Sequence, residues 1–227
     1  MSIILLLLRL PILVVHILVG LFTILFFPKE PKNFKNSHYR IMMLWMNILS
    51  SILGIKIDIR GIPDQSANLF VSNHVTYLDI IIINKLLPVN FIAKEEISSW
   101  PVIGRLASKT GTLFIKRGDN VESSKMIYEM EERFKLQNKI VFFPEGKIGN
   151  GKRVRKFHYK LFKSIENKEL YIQPIAIRYP IEYPVNNNYS EIISDKSLKG
   201  EMFSLYLKFL MRRRSHVILI FLDKVST

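Results

Sequence analysis

The chain contains no cysteine, so disulfides, thiolate metal ligands and a cysteine nucleophile are all excluded. Histidine is scarce too: the five histidines stand at positions 16, 38, 74, 158 and 216, without the close spacing that metal ligands usually show. Glycine and proline number only ten each, and the sequence has neither an internal repeat nor a low-complexity tract. We therefore expect no metal site and no repeat architecture.

Negative charge is also in short supply. Lys and Arg total 33 against 19 Asp and Glu, which gives a formal net charge of +14 and a pI near 9.9. Such an excess indicates a polyanionic partner, and three kinds are compatible with it: nucleic acid, an anionic membrane surface, or an acidic or phosphorylated substrate carrier.

Apolar residues, by contrast, are concentrated at the amino terminus. From Ser2 to Phe27 the only formally charged residue is Arg9, and the 18 residues from Leu10 onward carry no charge. Because roughly 20 apolar residues cross a bilayer as a helix, this segment is of borderline spanning length. Pro28 and the lysines after it should end the helix and place positive charge beside it, as at the cytoplasmic end of a membrane segment. The uniform apolarity disfavours a buried core helix, and Arg9 within the run disfavours a secretory signal.

A second helix is predicted from Tyr39 to Gly54, with an apolar face that includes Trp45. The two helices together suggest a hairpin, residues 1–54, that lies in one leaflet of a membrane. A pair of spanning helices is the alternative, and the sequence does not distinguish them. The remainder, residues 55–227, is predicted to be a separate α/β domain.

After Gly54 the pattern changes to short apolar strands alternating with amphipathic helices. This alternation is typical of an α/β fold with a mostly parallel sheet covered by helices. Strands are predicted near Lys56–Arg60, Leu69–Ser72, Asn90–Ala93, Thr112–Lys116, Ile140–Phe143, Tyr171–Ile177 and Val217–Leu222. Helices are predicted near Leu78–Leu87, Val102–Ser108, Val121–Leu136, Tyr159–Glu166 and Lys199–Arg213.

The most suggestive stretch runs from Phe70 to Asp79, where an apolar strand enters a polar turn and then a helix. Such a turn would present His74 at the end of a sheet, where α/β proteins hold ligands, and Asp79 could orient its imidazole as in acyl-transfer sites. The alternative is a chance pairing in which Asp79 merely favours the positive end of a helix dipole. Five residues turn through about 500° on a helix, leaving the side chains roughly 140° apart, so they meet only if His74 precedes the helix.

Three further strands end in charged or turn-forming residues. Thr112–Arg117 delivers two cations, Val141–Lys147 delivers a carboxylate on a Pro-Glu-Gly turn, and Ile172–Ile177 carries Pro174, a residue that belongs at a strand start, an edge or a bulge. Parallel strands would bring several of these ends to one rim of the sheet, beside His74.

These residues together resemble the glycerolipid acyltransferases, a family typified by bacterial 1-acyl-glycerol-3-phosphate acyltransferase. Asn73-His74 with Asp79 is similar to its Asn-His-x4-Asp block, and the order and spacing of the blocks agree over about residues 70–177. The other similar stretches are Gly111–Arg117 (the block ending Phe-x-x-Arg), Phe143–Gly146 (Phe-Pro-Glu-Gly), Ile172–Ile177 (the proline-containing block) and Ala93–Glu96 with Trp100, Pro101 and Gly104.

The resemblance implies a role for each matching residue. His74 would deprotonate a lysolipid hydroxyl, whose oxygen attacks the thioester of acyl-carrier protein or acyl-coenzyme A, while Asp79 would orient His74 and stabilise the imidazolium. No cofactor, metal, nucleic acid or covalent acyl-enzyme is then expected. Lys94 would help to bind the oxyanion. The substrate-binding residues implied are Asn73, Lys94, Gly111, Phe114, Arg117, Pro144, Glu145, Gly146, Lys147 and Pro174.

The chain departs from the family after Gly146. There the family usually continues Thr-Arg-Ser, with an arginine for the acceptor phosphate, whereas this chain has Lys147-Ile148-Gly149-Asn150-Gly151. Isoleucine cannot make the bidentate bond of a guanidinium. On the breadth of the family, the resemblance still implies phosphatidate formation from 1-acyl-glycerol-3-phosphate first. The near alternative is the lyso-ornithine lipid acyltransferase branch, which the Gly149–Gly151 stretch with Arg153, Val154 and Phe157 resembles.

A basic run follows this departure, and it is expected to form a positive face. Within the acyltransferase hypothesis the face would bind anionic headgroups or the acidic carrier protein, with the enzyme on the cytoplasmic face of the cell membrane. Two hypotheses of other classes are a basic nucleic-acid-binding protein and a non-catalytic lipid-binding protein. The run consists of Lys152, Arg153, Arg155, Lys156, His158, Lys160 and Lys163, and Arg212–Arg214 are expected to join it.

Overall fold

The computed structural model describes residues 2–30, 34–116, 120–149, 153–180 and 206–226. Two of the basic residues considered above, Arg117 and Lys152, lie outside these ranges, as does the first part of the predicted helix Lys199–Arg213, residues 199–205. Within the described ranges, residues 206–210 of that helix are helical.

Five α-helices are described, and they agree with the predicted helices up to residue 136. They are α1 (Ile3–Thr23), α2 (Asn36–Ile52), α3 (Leu78–Leu86), α4 (Ile103–Lys109) and α5 (Asn120–Lys135), with 3-10 helices at Ile24–Phe26, Glu95–Ser99 and Tyr159–Ser164. The last of these replaces the predicted α-helix Tyr159–Glu166, since a single short connector of this kind often adopts the tighter 3-10 form.

In the described part of the chain eight strands form one sheet, and all seven predicted strands are present with bounds that differ by at most two residues. They are β1 (Ile55–Arg60), β2 (Leu69–Ser72), β3 (Val89–Lys94), β4 (Leu113–Ile115), β5 (Lys139–Phe142), β6 (Tyr171–Arg178), β7 (Ser215–Phe221) and β8 (Val225–Ser226). The two-residue β8 is the one strand that the sequence pattern did not predict.

The strand order is β1-β7-β6-β2-β5-β3-β4, with β8 beside β6. From β6 to β4 every neighbouring pair is parallel, whereas β7 runs antiparallel to β6 and parallel to β1. The predicted mostly parallel sheet is thus confirmed. The carboxyl ends of β6, β2, β5, β3 and β4 meet at one edge of this sheet, which we call the carboxyl edge.

Helices cover both faces of the sheet, and the side chains of β2 point alternately into the two cores that result. Phe70 points into the larger core with α3 and the end of α2, where Leu53 and Ile82 are completely buried. Leu69 points into the opposite core, built on α5 and the segment Tyr159–Ser164. β2 therefore lies in the middle of a three-layer structure, and the turn that follows it is held on both sides.

Helix α1 packs against α2 rather than projecting from the domain. The His16 and Trp45 rings stack with their centroids 4.5 Å apart, and Trp45 Nε1 donates to the His16 carbonyl at 3.2 Å. The Arg9 guanidinium donates hydrogen bonds to the backbone oxygens of Leu210, Arg212 and Arg213. The one charge in the apolar run thus fastens α1 to the domain.

Most of the α1 surface is apolar and uncovered. Residues Ile3–Phe26 have a mean hydropathy of 2.6, and among the described residues this is the one helical stretch long and apolar enough to cross a membrane. Large side chains such as Leu7 and Phe22 are more than 60% exposed. A surface of this kind is a hint of membrane association.

Helix α2 contributes to the main core. Leu49 and Leu53 are buried with the sheet residues, and the Tyr39 hydroxyl lies 3.0 Å from Asn90 Oδ1 and 3.2 Å from Asn138 Oδ1. The proposed division at residue 54 therefore passes through packed structure. As a statement about separate units it stays a prediction.

Candidate active site

His74 lies in the turn between β2 and α3, which is the position that the helical geometry required. α3 begins at Leu78, so Asp79 sits in its first turn and points back at the turn that precedes it. His74 Nδ1 is 2.8 Å from Asp79 Oδ2. The Asp79 side chain is fully buried and the His74 side chain is 14% exposed. Solvent therefore does not contact the carboxylate, whereas part of the imidazole is accessible at the carboxyl edge.

The contacts of Asp79 determine which imidazole nitrogen carries the proton. Its Oδ2 also accepts hydrogen bonds from the backbone N–H groups of Val75 (2.6 Å) and Thr76 (3.0 Å). An ionised carboxylate only accepts hydrogen bonds, so Nδ1 of a neutral His74 must be the donor. Nε2 then keeps a free lone pair, as a general base requires.

Phe143 fixes the plane of the imidazole. This residue follows β5, next to β2, and its ring stacks on His74 with centroids 4.0 Å apart and an angle of 14° between the planes. The Phe91 ring lies behind it at 6.3 Å. The sequence placed Phe143 in a family block without a role, and the structure shows that it supports the histidine.

The Asn73 side chain forms hydrogen bonds with the backbone of the neighbouring strand, β6. Its side-chain nitrogen donates to the Ile177 carbonyl at 2.9 Å, and its Oδ1 accepts from the Ile177 N–H at 2.7 Å. The turn before α3 is thereby joined to the end of β6. Asn73 positions His74, and the substrate contact assigned to Asn73 stays a prediction.

The Pro144-Glu145-Gly146 turn lies beside this site at the end of β5. The Glu145 carboxylate is buried and accepts from the Arg155 N–H at 3.0 Å, while the Pro144 carbonyl accepts from the His158 N–H at 2.8 Å. Gly146 has φ = 68°, a conformation that favours glycine. Glu145 thus holds the following basic segment against the turn, and its predicted contact with the acceptor is untested.

The residues after Gly146 return to the histidine. The Gly149 N–H donates to the His74 carbonyl at 2.6 Å. The stretch Lys147-Ile148-Gly149, in which the chain departs from the family pattern, therefore lies next to His74.

Lys94 and Phe114 come from β3 and β4, farther along the same edge. β3 pairs with β5 as far as Phe91, which lies opposite Val141, and Lys94 ends β3 three residues later, at the carboxyl edge. Gly111, in contrast, precedes β4 with φ = 87°, so it serves the turn at the opposite end of that strand. Of the sequence-predicted residues, Arg117 lies outside the described ranges.

Pro174 lies inside β6, where a proline needs an explanation. β6 pairs with β7 from Ile175 onward and with β8 up to Ile172, so Pro174 falls in the interval between the two partners. Its carbonyl accepts from the Leu222 N–H, and the nitrogen of the same residue points to that side of the strand. The side of Pro174 that lacks an N–H therefore faces the interval between β7 and β8. The hydrogen bonds between β6 and β2 are not interrupted.

Tyr179 is a site residue that the sequence reasoning missed. It directly follows β6, and its hydroxyl donates to Asp79 Oδ1 at 2.7 Å. Burial, together with the negative charge of Asp79, raises the pKa of the Tyr179 phenol well above its usual value, so the phenol remains a donor. The sequence did place Tyr179 directly after a predicted strand. No local pattern indicated its contact with Asp79, because that contact depends on β6 lying next to β2.

A histidine base oriented by a buried aspartate, at the carboxyl edge of a mostly parallel sheet, defines an α/β protein built for acyl or proton transfer. Comparison with protein families then gives the particular class. The family described as Acyltransferase matches residues 56–178, which include His74, Asp79 and the Pro144-Glu145-Gly146 turn but end one residue before Tyr179. The chain belongs to this family.

Individual relatives carry two kinds of name. The chain is 34% identical over 140 residues to a lyso-ornithine lipid O-acyltransferase of Pseudomonas aeruginosa, covering 62% of this chain and 54% of the relative. It is 29% identical over 147 residues to a 1-acyl-sn-glycerol-3-phosphate acyltransferase of Neisseria gonorrhoeae, covering 64% and 57%. The chain thus spans little more than half the length of these curated relatives.

A solved structure extends the similarity of fold over nearly the entire chain. The crystal structure of PlsC, the 1-acyl-sn-glycerophosphate acyltransferase of Thermotoga maritima, superposes with a TM-score of 0.64, covering 99% of this chain and 85% of the other. The sequences are 16% identical. This superposition confirms the α/β fold predicted from the sequence, and the family model confirms the resemblance to acyltransferases.

Proposed function

We propose that this protein is a membrane-associated O-acyltransferase that moves a fatty acyl chain from acyl-carrier protein or acyl-coenzyme A to a lysolipid hydroxyl. The observation that carries the proposal is the 2.8 Å contact between His74 Nδ1 and Asp79 Oδ2. It leaves Nε2 as the basic atom at the carboxyl edge, where the ends of five parallel strands converge.

The reaction follows from this arrangement. Nε2 of His74 takes the proton of the lysolipid hydroxyl as the oxygen attacks the thioester carbonyl, and Asp79 stabilises the imidazolium that forms. The tetrahedral intermediate then collapses, its carbon–sulfur bond breaks, and the thiolate takes the proton from His74. An ester and a free thiol result, and no covalent acyl-enzyme is needed.

The developing oxyanion requires a positive or hydrogen-bonding partner. Lys94 is the last residue of β3, at the carboxyl edge of the sheet, and we assign it this role. Arg117, by family position, would contribute to the acceptor pocket.

Two acceptors are proposed, because Ile148 lies where the family usually has the phosphate-binding arginine. Lysophosphatidate is the substrate of the broader family, and Lys147, next to Ile148 in the chain, would supply a point charge for its phosphate. The lyso-ornithine lipid is favoured by Ile148, because an apolar side chain offers neither charge nor hydrogen bond to a dianionic phosphate. The neighbouring Gly149 donates its N–H to the His74 carbonyl, so this stretch lies next to the proposed catalytic residue.

The membrane side of the molecule is assigned to α1. This helix packs along α2, which in turn covers the sheet, so its axis follows the face of the domain. We propose that α1 lies in the cytoplasmic leaflet of the cell membrane, with its exposed apolar side chains in the acyl region.

The basic segment 153–160 lies on the other face of the sheet. It leads into Tyr159–Ser164, which packs on the core that contains α5, whereas α1 packs toward the core that contains α3. All eight residues of the segment are exposed. We therefore assign it to the acidic acyl-carrier protein rather than to the headgroups beneath α1.

A competition assay tests the proposal. Membranes containing the protein receive a labelled acyl donor with lysophosphatidate and lyso-ornithine lipid together, and the two products are separated. His74→Ala should abolish acylation and leave membrane association unchanged, while His38→Ala, which alters a half-buried histidine at the start of α2, should remain active. Full activity of His74→Ala would refute the mechanism. Salt-sensitive RNA or DNA binding without lipid acylation would favour the nucleic-acid alternative.

A further inference from the structure

Asp79 has a second oxygen that the His74 contact does not use. Oδ2 receives His74 and the N–H groups of Val75 and Thr76, whereas Oδ1 receives the hydroxyl of Tyr179 at 2.7 Å. Among the described residues, Tyr179 is the one side chain other than His74 with a hydrogen bond to this carboxylate. A fully buried carboxylate with four donors is fixed in rotation as well as in position.

We propose that Tyr179 is a positioning residue for the acyl transfer: its hydroxyl, bound to Asp79 Oδ1, holds the carboxylate so that Oδ2 faces His74 Nδ1. This inference rests on the proposed function and adds to it a residue outside the Asn-His-x4-Asp stretch, delivered from β6 on the neighbouring strand.

Hydrogen bonds from Asn73 hold the end of β6, and with it Tyr179, close to the turn that contains His74. Asn73 bonds both backbone groups of Ile177, two residues before Tyr179. These contacts fix the distance between the two strand ends, and therefore the approach of the phenol to Asp79. Histidine and its orienting carboxylate come from one stretch, but the group that orients the carboxylate comes from 100 residues away.

The phenol is suited to this role because it remains protonated. Tyr179 packs against the main core, as Tyr206 does, and burial is the first cause that raises its pKa, followed by the charge of Asp79. A phenolate at this place would repel the carboxylate. The neutral hydroxyl instead donates one hydrogen bond in a fixed direction.

The test is Tyr179→Phe, which removes one oxygen atom and retains the ring that packs in the core. The purified protein is assayed with labelled donor and the lysolipid that the wild type accepts. We expect kcat to fall about tenfold or more, because hydrogen bonds to buried charged groups are the strong ones. KM for both substrates should change less than twofold, since the hydroxyl touches neither of them.

Two further variants separate positioning from mere stability. Tyr206→Phe removes a similarly enclosed phenol that has no hydrogen bond to Asp79, and its kcat should stay within twofold of the wild type. In an Asp79→Asn background, Tyr179→Phe should cost little more, because its effect passes through the carboxylate. Thermal unfolding of each variant is measured alongside.

The outcomes are distinct. A wild type that acylates no lysolipid refutes the proposed function itself. With an active wild type, Tyr179→Phe refutes the positioning role if its kcat lies within twofold of the wild type. The role is also refuted if kcat falls equally in Tyr206→Phe, or if the loss is as large in the Asp79→Asn background as in the wild type.

Discussion

Replacing Asp79 by asparagine should remove the charge of the carboxylate and little else. Asparagine offers one acceptor oxygen and one amide group. Three N–H donors face Oδ2, at 2.6 to 3.0 Å, so the amide oxygen should take that position and the NH2 group should take the position of Oδ1. There the Tyr179 hydroxyl can turn to accept from it, and His74 keeps its proton on Nδ1.

The expected loss can be worked from this geometry. The charges of an imidazolium and a carboxylate in contact are spread over both groups, and at about 4 Å they attract by roughly 4 kcal/mol at an effective dielectric constant near 20. The neutral amide retains a hydrogen bond worth about 1 kcal/mol. The remaining difference of about 3 kcal/mol corresponds to a fall in kcat of roughly a hundredfold.

The assay can follow the thiol that the donor releases. Since the chain has no cysteine, a thiol reagent reports the released carrier thiol without a background from the protein. Asp79→Asn should show the hundredfold fall in kcat with KM unchanged, and Asp58→Asn, which alters a surface carboxylate with a 59% exposed side chain, should match the wild type.

Two results would refute this reasoning. If Asp79→Asn retains more than a third of the wild-type kcat, the negative charge does not stabilise the imidazolium. If it is as inactive as His74→Ala, the asparagine has not preserved the tautomer, and the hydrogen-bond argument for Oδ2 is wrong.

Three further predictions concern the membrane helix, the acceptor and the donor. Gly20→Ala should lower the melting temperature in detergent, since its Cβ would stand 2.7 Å from Trp45 Nε1 and overpacking costs about 1–3 kcal/mol; an unchanged melting temperature would contradict the α1–α2 contact. Ile148→Arg should raise kcat/KM for lysophosphatidate relative to lyso-ornithine lipid, and an unchanged ratio would remove residue 148 from acceptor choice. Arg155→Glu with Lys156→Glu should lower kcat/KM for an acyl-carrier protein donor at low salt and spare acyl-pantetheine, whereas equal losses would exclude docking.

Much of the catalytic arrangement was predictable because it is local. His74 and Asp79 are five residues apart, and helical geometry allowed them to meet only with His74 in the turn before the helix, where the structure has it. The apolar β2 between polar turns indicated a buried parallel strand, and parallel strands deliver their ends to a common edge. The seven predicted strands followed from the same short-range pattern.

The contact of Tyr179 was not predictable, since it depends on which strands are neighbours. β2 and β6 are adjacent only because the chain crosses the sheet after β5, and no periodicity within either strand specifies that order. For the same reason the sequence did not indicate that the Asn73 amide bonds both backbone groups of Ile177, and the substrate contact predicted for Asn73 stays a prediction.

Helix α2 was ambiguous for a different physical reason. An apolar face satisfies lipid and a protein core equally well, so the pattern of Tyr39–Gly54 predicted a membrane hairpin. In the structure Leu49 and Leu53 pack into the sheet core, while Leu44 and Ile48 remain exposed. The helix has one apolar side toward the domain and another that extends the surface of α1.

The two sides of the sheet suggest how the proposed substrates reach one histidine. β7 runs opposite to β6, so its first residue, Ser215, lies at the carboxyl edge, just after the carbonyls that Arg9 binds. The amino-terminal end of α1 is therefore at the same edge as His74, on the face of the sheet that we propose is turned toward lipid. The segment held by Glu145 reaches that edge from the opposite face. In the proposed reaction the lysolipid approaches His74 from the bilayer and the carrier protein approaches from water, so neither has to cross the other's path.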